Sequence, residues 1–214
     1  MIDPNLCCGA PRNKSDERRW RVINAARKLF INNGFHATGI AQIARESGVA
    51  VGQLYRDFSA KEDIVAAIVN TDCRSFMAAD TLRLAIQNGD ETLVRDWIRQ
   101  FVMPEDDEDD GRLFAEILAE AARNTRIAAI FESVNGDVRG LMLDALAMLA
   151  PGDALMERRS ALADAILTMS LGMLHHQLIR PQLDLTPLVR TLLDIIDRDI
   201  DRIRCEARAL LTQD

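Results

Sequence analysis

The chain has 214 residues, 48 % of them apolar and 5 % aromatic, and a net charge of −7. That length suits one domain carrying a smaller one, and that charge excludes a protein whose whole surface coats nucleic acid. Cys7, Cys8, Cys73 and Cys205 form no C-x-x-C spacing, and no apolar run approaches the roughly 18 residues that span a bilayer, which excludes a zinc framework, a disulfide scaffold and a membrane span and predicts a reducing cytoplasm.

Ala, Leu, Ile, Arg, Asp and Glu dominate, and period-2 alternation of β-branched residues is almost absent, so helices are expected throughout. The average charge hides an asymmetry. Residues 1–61 carry a balance of +5 and the remainder −12. A basic head on an acidic body points to a head that meets a polyanion, although charges on solvated helix faces also cluster by chance. Residues 1–12 read as an arm, with Arg12 and, just beyond it, Lys14 placed for phosphate contacts.

"SDERRWRVINAARKLFINNGF" opens the head. Val22, Ala25, Ala26 and Leu29 follow i, i+3, i+4, i+7, Ser15 is the expected cap, and Asn33-Gly34 ends the helix. Ile40, Ile43, Ala44 and Ser47 repeat the pattern over a helix of about eight residues that stops at Gly48 and, at that length, must pack on the first. Val49 plugs the turn, and Val51, Leu54 and Phe58 make an inward stripe that leaves Gln53, Arg56 and Asp57 outward with Tyr55 flanking. Two short helices joined at a glycine are the helix-turn-helix layout, whose second helix lays its polar side in the major groove. "FSAKEDIVAAIV" then reads as a capping box, Ser59-x-x-Glu62, and Lys61 in that first turn suits a neighbouring phosphate better than the helix dipole.

With Gly34-Phe35, Thr38, Ile43-Ala44, Gly48-Val49, Gly52, Leu54-Tyr55, Phe58 and Lys61-Glu62 in place, residues from about 18 to 66 resemble the DNA-binding domain of the TetR family of bacterial transcriptional regulators. The resemblance implies an all-α, homodimeric protein. Its N-terminal three-helix helix-turn-helix domain, residues 13–60, binds operator DNA. Its larger C-terminal helical domain, residues 61–214, binds a small-molecule inducer and dimerises. Carried over by position, Tyr55 and Lys61 contact backbone phosphates, with Thr38 and Gly39 also at the phosphates. Gln53 and Arg56 read bases, and Ala50 and Val51 lie close to the groove. Gln pairs with adenine and Arg with guanine through two hydrogen bonds each. Three positions depart from the family pattern. Gly39 stands where Thr or Ser is common, Ala50 replaces a common Ser cap, and Asp57 replaces an aromatic residue or His. Asp57 has three candidate partners, Arg56, Arg45 or a cytosine amine.

The helix from Ser59 is expected to run to about Gln87. Asp90 caps the next, "ETLVRDWIRQFVM", which Pro104 stops. "PEDDEDDG" echoes a Ca²⁺ loop, but the twelfth position is Ile117, which supplies no carboxylate, so a solvated loop is expected and no metal. Helices follow from Arg112, from about Arg126, from about Ala154 to Arg180 and from about Pro187 to Leu211. Two stripes on the last pair are the expected dimer surface unless they face the protein's own core. One is Ala161, Ala165, Thr168, Gly172 and His175; the other is Val189, Leu192, Ile196, Ile200 and Ile203. An enzyme has no positive signal: there is no GxSxG, GxxxxGK or GxGxxG, and His175-His176 point about 100° apart on a helix. No cofactor is expected. Met77, Trp97, Phe101, Met103, Phe114, Phe131, Met142, Met169 and Met173 are candidate lining for an apolar or amphipathic inducer, or simply core, and Glu116 and Glu120 suit a cationic group or a wet helix face. The reading is a ligand-responsive regulator, expected to repress from a palindromic operator; the alternative is an all-α binding module whose head no longer reads DNA.

Overall fold

The computed structural model describes residues 13–104 and 108–211. The expected arm, with Arg12, Cys7 and Cys8, and the acidic residues 105–107 lie outside them. The fold is all-α, with no strand among the described residues. In chain order the helices are α1 (Lys14–Asn33), α2 (Ile40–Ser47), α3 (Val51–Asp57), α4 (Lys61–Met77), α5 (Ala79–Asn88), α6 (Glu91–Arg99), α7 (Glu108–Ala121), α8 (Thr125–Leu149), α9 (Met156–Ile179) and α10 (Thr186–Leu211), with a 3₁₀ turn over Gln100–Val102 after α6. Among the described residues no helix is long and apolar enough to cross a membrane.

The helices form two compact units. One ends at Met77 and also takes in Arg112–Val134; the other holds Ala78–Gly111 and the chain from Asn135. The unit that contains the head is therefore larger than residues 13–60. Its core joins Val22, Phe30, Ile43 and Leu54 of the first three helices to Ile64 and Ile68 of α4, Leu113 and Ile117 of α7, and Ile127 of α8. The short helices α2 and α3 gain from this core the stability that their length denies them.

Several local expectations shift. Asn13, not Ser15, caps α1, accepting from the N–H groups of Ser15 and Asp16 at 2.9 and 3.0 Å. The Ser59–Glu62 capping box expected at α4 is replaced by half of one: Asp63 accepts from the Ala60 N–H at 3.0 Å, and Glu62 accepts from the Asn124 amide at 3.0 Å instead. The helix expected to reach Gln87 breaks at Ala78, which is left-handed at φ 40° and ψ 45°. No glycine or proline marks that break; Met77 is buried in the first unit, and Leu82 and Ala85 in the second. The loop expected through the acidic run is helical from Glu108, so Asp109 and Asp110 lie in the first turn of α7, where the dipole favours them.

The second unit is tied by charge as well as by apolar packing. Asp197 of α10 faces Arg95 at 3.4 Å and Arg99 at 2.9 Å, both on α6. Arg159, 8 % exposed, donates to the carbonyls of Ala150 and Gly152, both at 2.8 Å, and so caps the end of α8. Of the two stripes on the final helices, Val189, Ile196, Ile200 and Ile203 of α10 are buried in this unit, while Ala161, Thr168, Gly172 and His175 of α9 are exposed.

Gly48 ends α2 at φ 66°, whereas Gly52 lies inside α3 with open space around it. Gly48→Ala is expected to lower the unfolding free energy by about 1–2 kcal/mol, the cost of a left-handed L-residue. Gly52→Ala should raise it by roughly 0.5 kcal/mol. Urea denaturation of both variants measures this, and equal effects would contradict the turn geometry.

Candidate nucleic-acid interface

The interface is built on the turn between α1 and α2. Its polar groups are satisfied by side chains from distant parts of the first unit. Glu116 of α7 accepts from the Phe35 N–H at 2.7 Å. The Lys61 ammonium donates to the carbonyls of Phe35 (2.5 Å) and Thr38 (2.9 Å) and stands 3.8 Å from the centroid of the Phe35 ring. Burial holds Lys61 below the ordinary lysine range, with Glu62 and Glu120 working against that shift. Glu120, 3 % exposed, faces His36 Nε2 at 2.8 Å. Glu116 and Glu120 thus serve the turn. Thr38 is fully buried, and the single hydrogen of its hydroxyl has two acceptors in reach, the carbonyls of Gly34 (2.8 Å) and Leu29 (3.2 Å). Its side chain is turned away from solvent, which leaves Gly39, exposed at the N-cap of α2, as the open part of this turn. The Gly39 N–H is held by Gln42 Oε1 at 2.6 Å.

The α2–α3 corner follows from the residues around Gly48. Ala44 and Val49 are buried, and the Gly48 N–H donates to the Arg45 carbonyl at 3.3 Å. α3 rests on Leu54 and Phe58, which are 0 % and 2 % exposed. Val51, expected in that inward stripe, is 44 % exposed, because the chain turns outward where α3 begins. Ala50, Val51, Tyr55 and Arg56 therefore share an exposed face, with Gln53 half-buried beside them and Arg56 Nη1 3.4 Å from Gln53 Oε1.

Asp57 takes a partner outside the three candidates. Arg18 of α1 donates to its two oxygens from Nε (2.5 Å) and Nη2 (2.8 Å). Arg19 donates to the Asp57 carbonyl at 2.6 Å and lies 4.3 Å over the Phe58 ring. The bond from Arg18 is the main reason that the Asp57 carboxyl sits below the usual carboxylate range. Sequence reasoning missed Arg18 and Arg19. Their one signal was the basic stretch "RRWR", which names no partner.

The candidate inducer residues divide between the units. Met77, Phe114 and Phe131 belong to the first, where Phe114 and Phe131 meet edge-on at 5.5 Å. Trp97, Phe101, Met142, Met169 and Met173 belong to the second, where Trp97 and Phe101 meet edge-on at 5.0 Å. Met77, Trp97, Phe101, Met142 and Met173 are buried, and Met103 is 50 % exposed.

Two outcomes follow from these contacts. Lys61→Met should lower the stability of the DNA-free protein by about 2 kcal/mol, the worth of hydrogen bonds from a charged group, read by denaturation without DNA. Asp57 has a depressed folded pKa, so its contribution is present above the ordinary carboxylate pKa of about 3.9 and lost as pH falls through the lower folded value. Asp57→Asn should therefore be less stable near neutral pH and lose less than the parent on acidification, as a pH series of denaturation curves would record.

Residues 22–68 match the family model described as bacterial regulatory proteins, tetR family. Among curated relatives, the HTH-type transcriptional regulator UidR of Escherichia coli (strain K12) is 29 % identical over 124 residues, 57 % of this chain and 61 % of UidR. The match thus spans about three-fifths of that relative's length. The HTH-type transcriptional regulator HbdR of Aromatoleum sp. (strain CIB) is 48 % identical over 50 residues, 23 % of this chain and 22 % of HbdR. Among solved structures, Salmonella enterica GusR superposes with a TM-score of 0.69 at 20 % identity, covering 90 % of this chain and 100 % of GusR. NalD of Pseudomonas aeruginosa gives 0.59 at 20 % identity, covering 87 % and 97 %. At those identities the structural likeness concerns the fold.

Proposed function

From the premise that this chain belongs to the TetR family of bacterial regulatory proteins, we propose that it is a ligand-responsive transcriptional regulator, a repressor, that binds operator DNA as a homodimer. The observation that carries the reading is the face of α3. Gln53, Tyr55 and Arg56 stand on a helix anchored by buried Leu54 and Phe58, inside the segment that matches the family model. A short helix held by its apolar side is free to enter the major groove with its polar side. In this reading residues 13–60 meet the DNA. Tyr55 takes a phosphate, and the turn at Thr38 and Gly39 lies at another, which the Gly39 N–H reaches only by leaving Gln42 Oε1. Ala50 and Val51 approach the groove, and Gln53 and Arg56 determine sequence preference. Lys61, with two of its three N–H groups on carbonyls, has one left for a phosphate.

A two-fold dimer presents two such faces to successive major grooves and demands a palindrome. The exposed small-residue stripe of α9 supports dimerisation through that helix. Residues 61–214 supply the dimer surface and the inducer site, for which the buried Trp97, Phe101, Met142 and Met173 favour an apolar or amphipathic molecule. The inducer acts by preferring a conformation that DNA does not. The rival reading is a binding module with a degenerate head. It draws on the Thr38 hydroxyl and Lys61 ammonium being engaged internally.

Selection from random double-stranded DNA at near-physiological salt, followed by titration of the enriched duplex against a scrambled one, tests the proposal. An enriched palindrome is expected. Tyr55→Ala should weaken binding to all sequences alike, whereas Arg56→Ala should relax preference at one position of each half-site. Absence of any enriched site would leave the binding-module reading.

A further inference from the structure

Ala78 separates α4 from α5 and is, among the described residues, the one non-glycine with a positive φ. An L-residue that carries a Cβ takes this left-handed conformation reluctantly. The break has a second fault. Alanine has no side-chain acceptor, so the first N–H groups of α5 receive no cap from it. Both faults vanish in a continuous helix, where the N–H groups of residues 78–81 bond the carbonyls of residues 74–77.

The sequence is written for that continuous helix. No Gly or Pro lies between Lys61 and Asn88, and alanine is the strongest helix former. The apolar register also carries through the break. Ile64 and Leu82, like Ile68 and Ile86, lie 18 residues apart, about five whole turns, so a straight helix puts all four on one face. What opposes it is burial. Ile64, Ile68 and Met77 are buried in the first unit and Leu82 and Ala85 in the second. A broken α4 follows the core of the first unit, whereas a continuous one is fixed to α5 and so to the second. Ala78 is itself exposed, so its side chain is not packed in a way that holds it left-handed.

We propose that residues 61–88 are a two-state element, broken at Ala78 in the operator-binding form and continuous in the released form. The inference rests on the regulator reading above. Lys61, at the far end of α4, holds the carbonyls of Phe35 and Thr38 at the start of α2. In the broken form that grip depends on the first unit alone. Closing the helix makes the position of Lys61 answer to the second unit as well. A ligand that favours the continuous form thereby loosens the start of α2 and releases DNA.

Backbone amide exchange and urea denaturation of the full chain, with its Ala78→Gly and Ala78→Ile variants, test the helix. Glycine accepts a positive φ, and a β-branched residue rejects it. Ala78→Gly should shift the balance toward the broken form by about tenfold. It should raise the urea midpoint and leave the amides of residues 78–81 as unprotected as in the parent. Ala78→Ile should shift the balance the other way and slow the exchange of those four amides. A lower urea midpoint in Ala78→Gly, or a folded Ala78→Ile with those amides still unprotected, would overturn the proposal. An Ala78→Ile chain that unfolds would reveal a break with no alternative and would overturn it too. Operator affinity, measured on a duplex enriched by selection from random DNA, is the second arm. It should be retained in Ala78→Gly and fall in Ala78→Ile by the factor by which the broken fraction falls. Protected amides with unchanged affinity would overturn the assignment of the broken form to operator binding. A parent chain that enriches no site would overturn the regulator reading, while exchange at residues 78–81 would still decide the helix.

Discussion

The Lys61 ammonium lies between the carbonyls of Phe35 and Thr38 and over the Phe35 ring, while Glu116 takes the Phe35 N–H. The α1–α2 turn has several backbone groups away from water, and each would cost free energy if left unpaired. α2 has only eight residues and cannot hold its own start. Side chains from α4 and α7 therefore position it. Burying an ammonium is costly, but the face of an aromatic ring, two carbonyls and nearby carboxylates offset that cost. The aim of α2, and through the Gly48 corner the aim of α3, follows from this knot.

A second set of contacts sets the other end of α3, and it changes the meaning of the head's positive charge. Arg18 and Arg19 are occupied by Asp57 and Phe58, Arg27 is bonded to Asp72, and Lys61 is occupied in the turn. Lys14, Arg21, Lys28, Arg45 and Arg56 are exposed. A large part of the basic excess thus holds helices together. The part that faces outward is smaller than the sum of charges, and more directed.

The second unit follows a different plan. α10 buries one apolar stripe and offers Asp197 to two arginines of α6, so it is joined on both counts to its own unit. α9 buries Leu162, Ala163, Ile166 and Met173 and leaves Ala161, Thr168 and Gly172 outside. Two stripes that look equivalent in sequence have opposite fates, because α10 is covered along its apolar side and α9 has two sides with something to offer.

The sequence by itself determined the helical class, the positions of α1 to α3, the turn at Gly48 and the outward placement of Tyr55 and Arg56 on α3. These depend on periodicity, caps and glycine, which act over a few residues and are written locally. The same local rules misjudged what depends on distant partners. Asp57 had candidate partners within its own neighbourhood and found Arg18, 39 residues away. Lys61, expected at a phosphate, also holds two carbonyls more than 20 residues back, which no local rule indicates. Val51 fitted an inward stripe, but the corner turned it out, and an uninterrupted helical pattern concealed the break at Ala78. Only the tertiary structure decided these, since a charged or apolar side chain is satisfied by whichever group the packing of the core brings within reach.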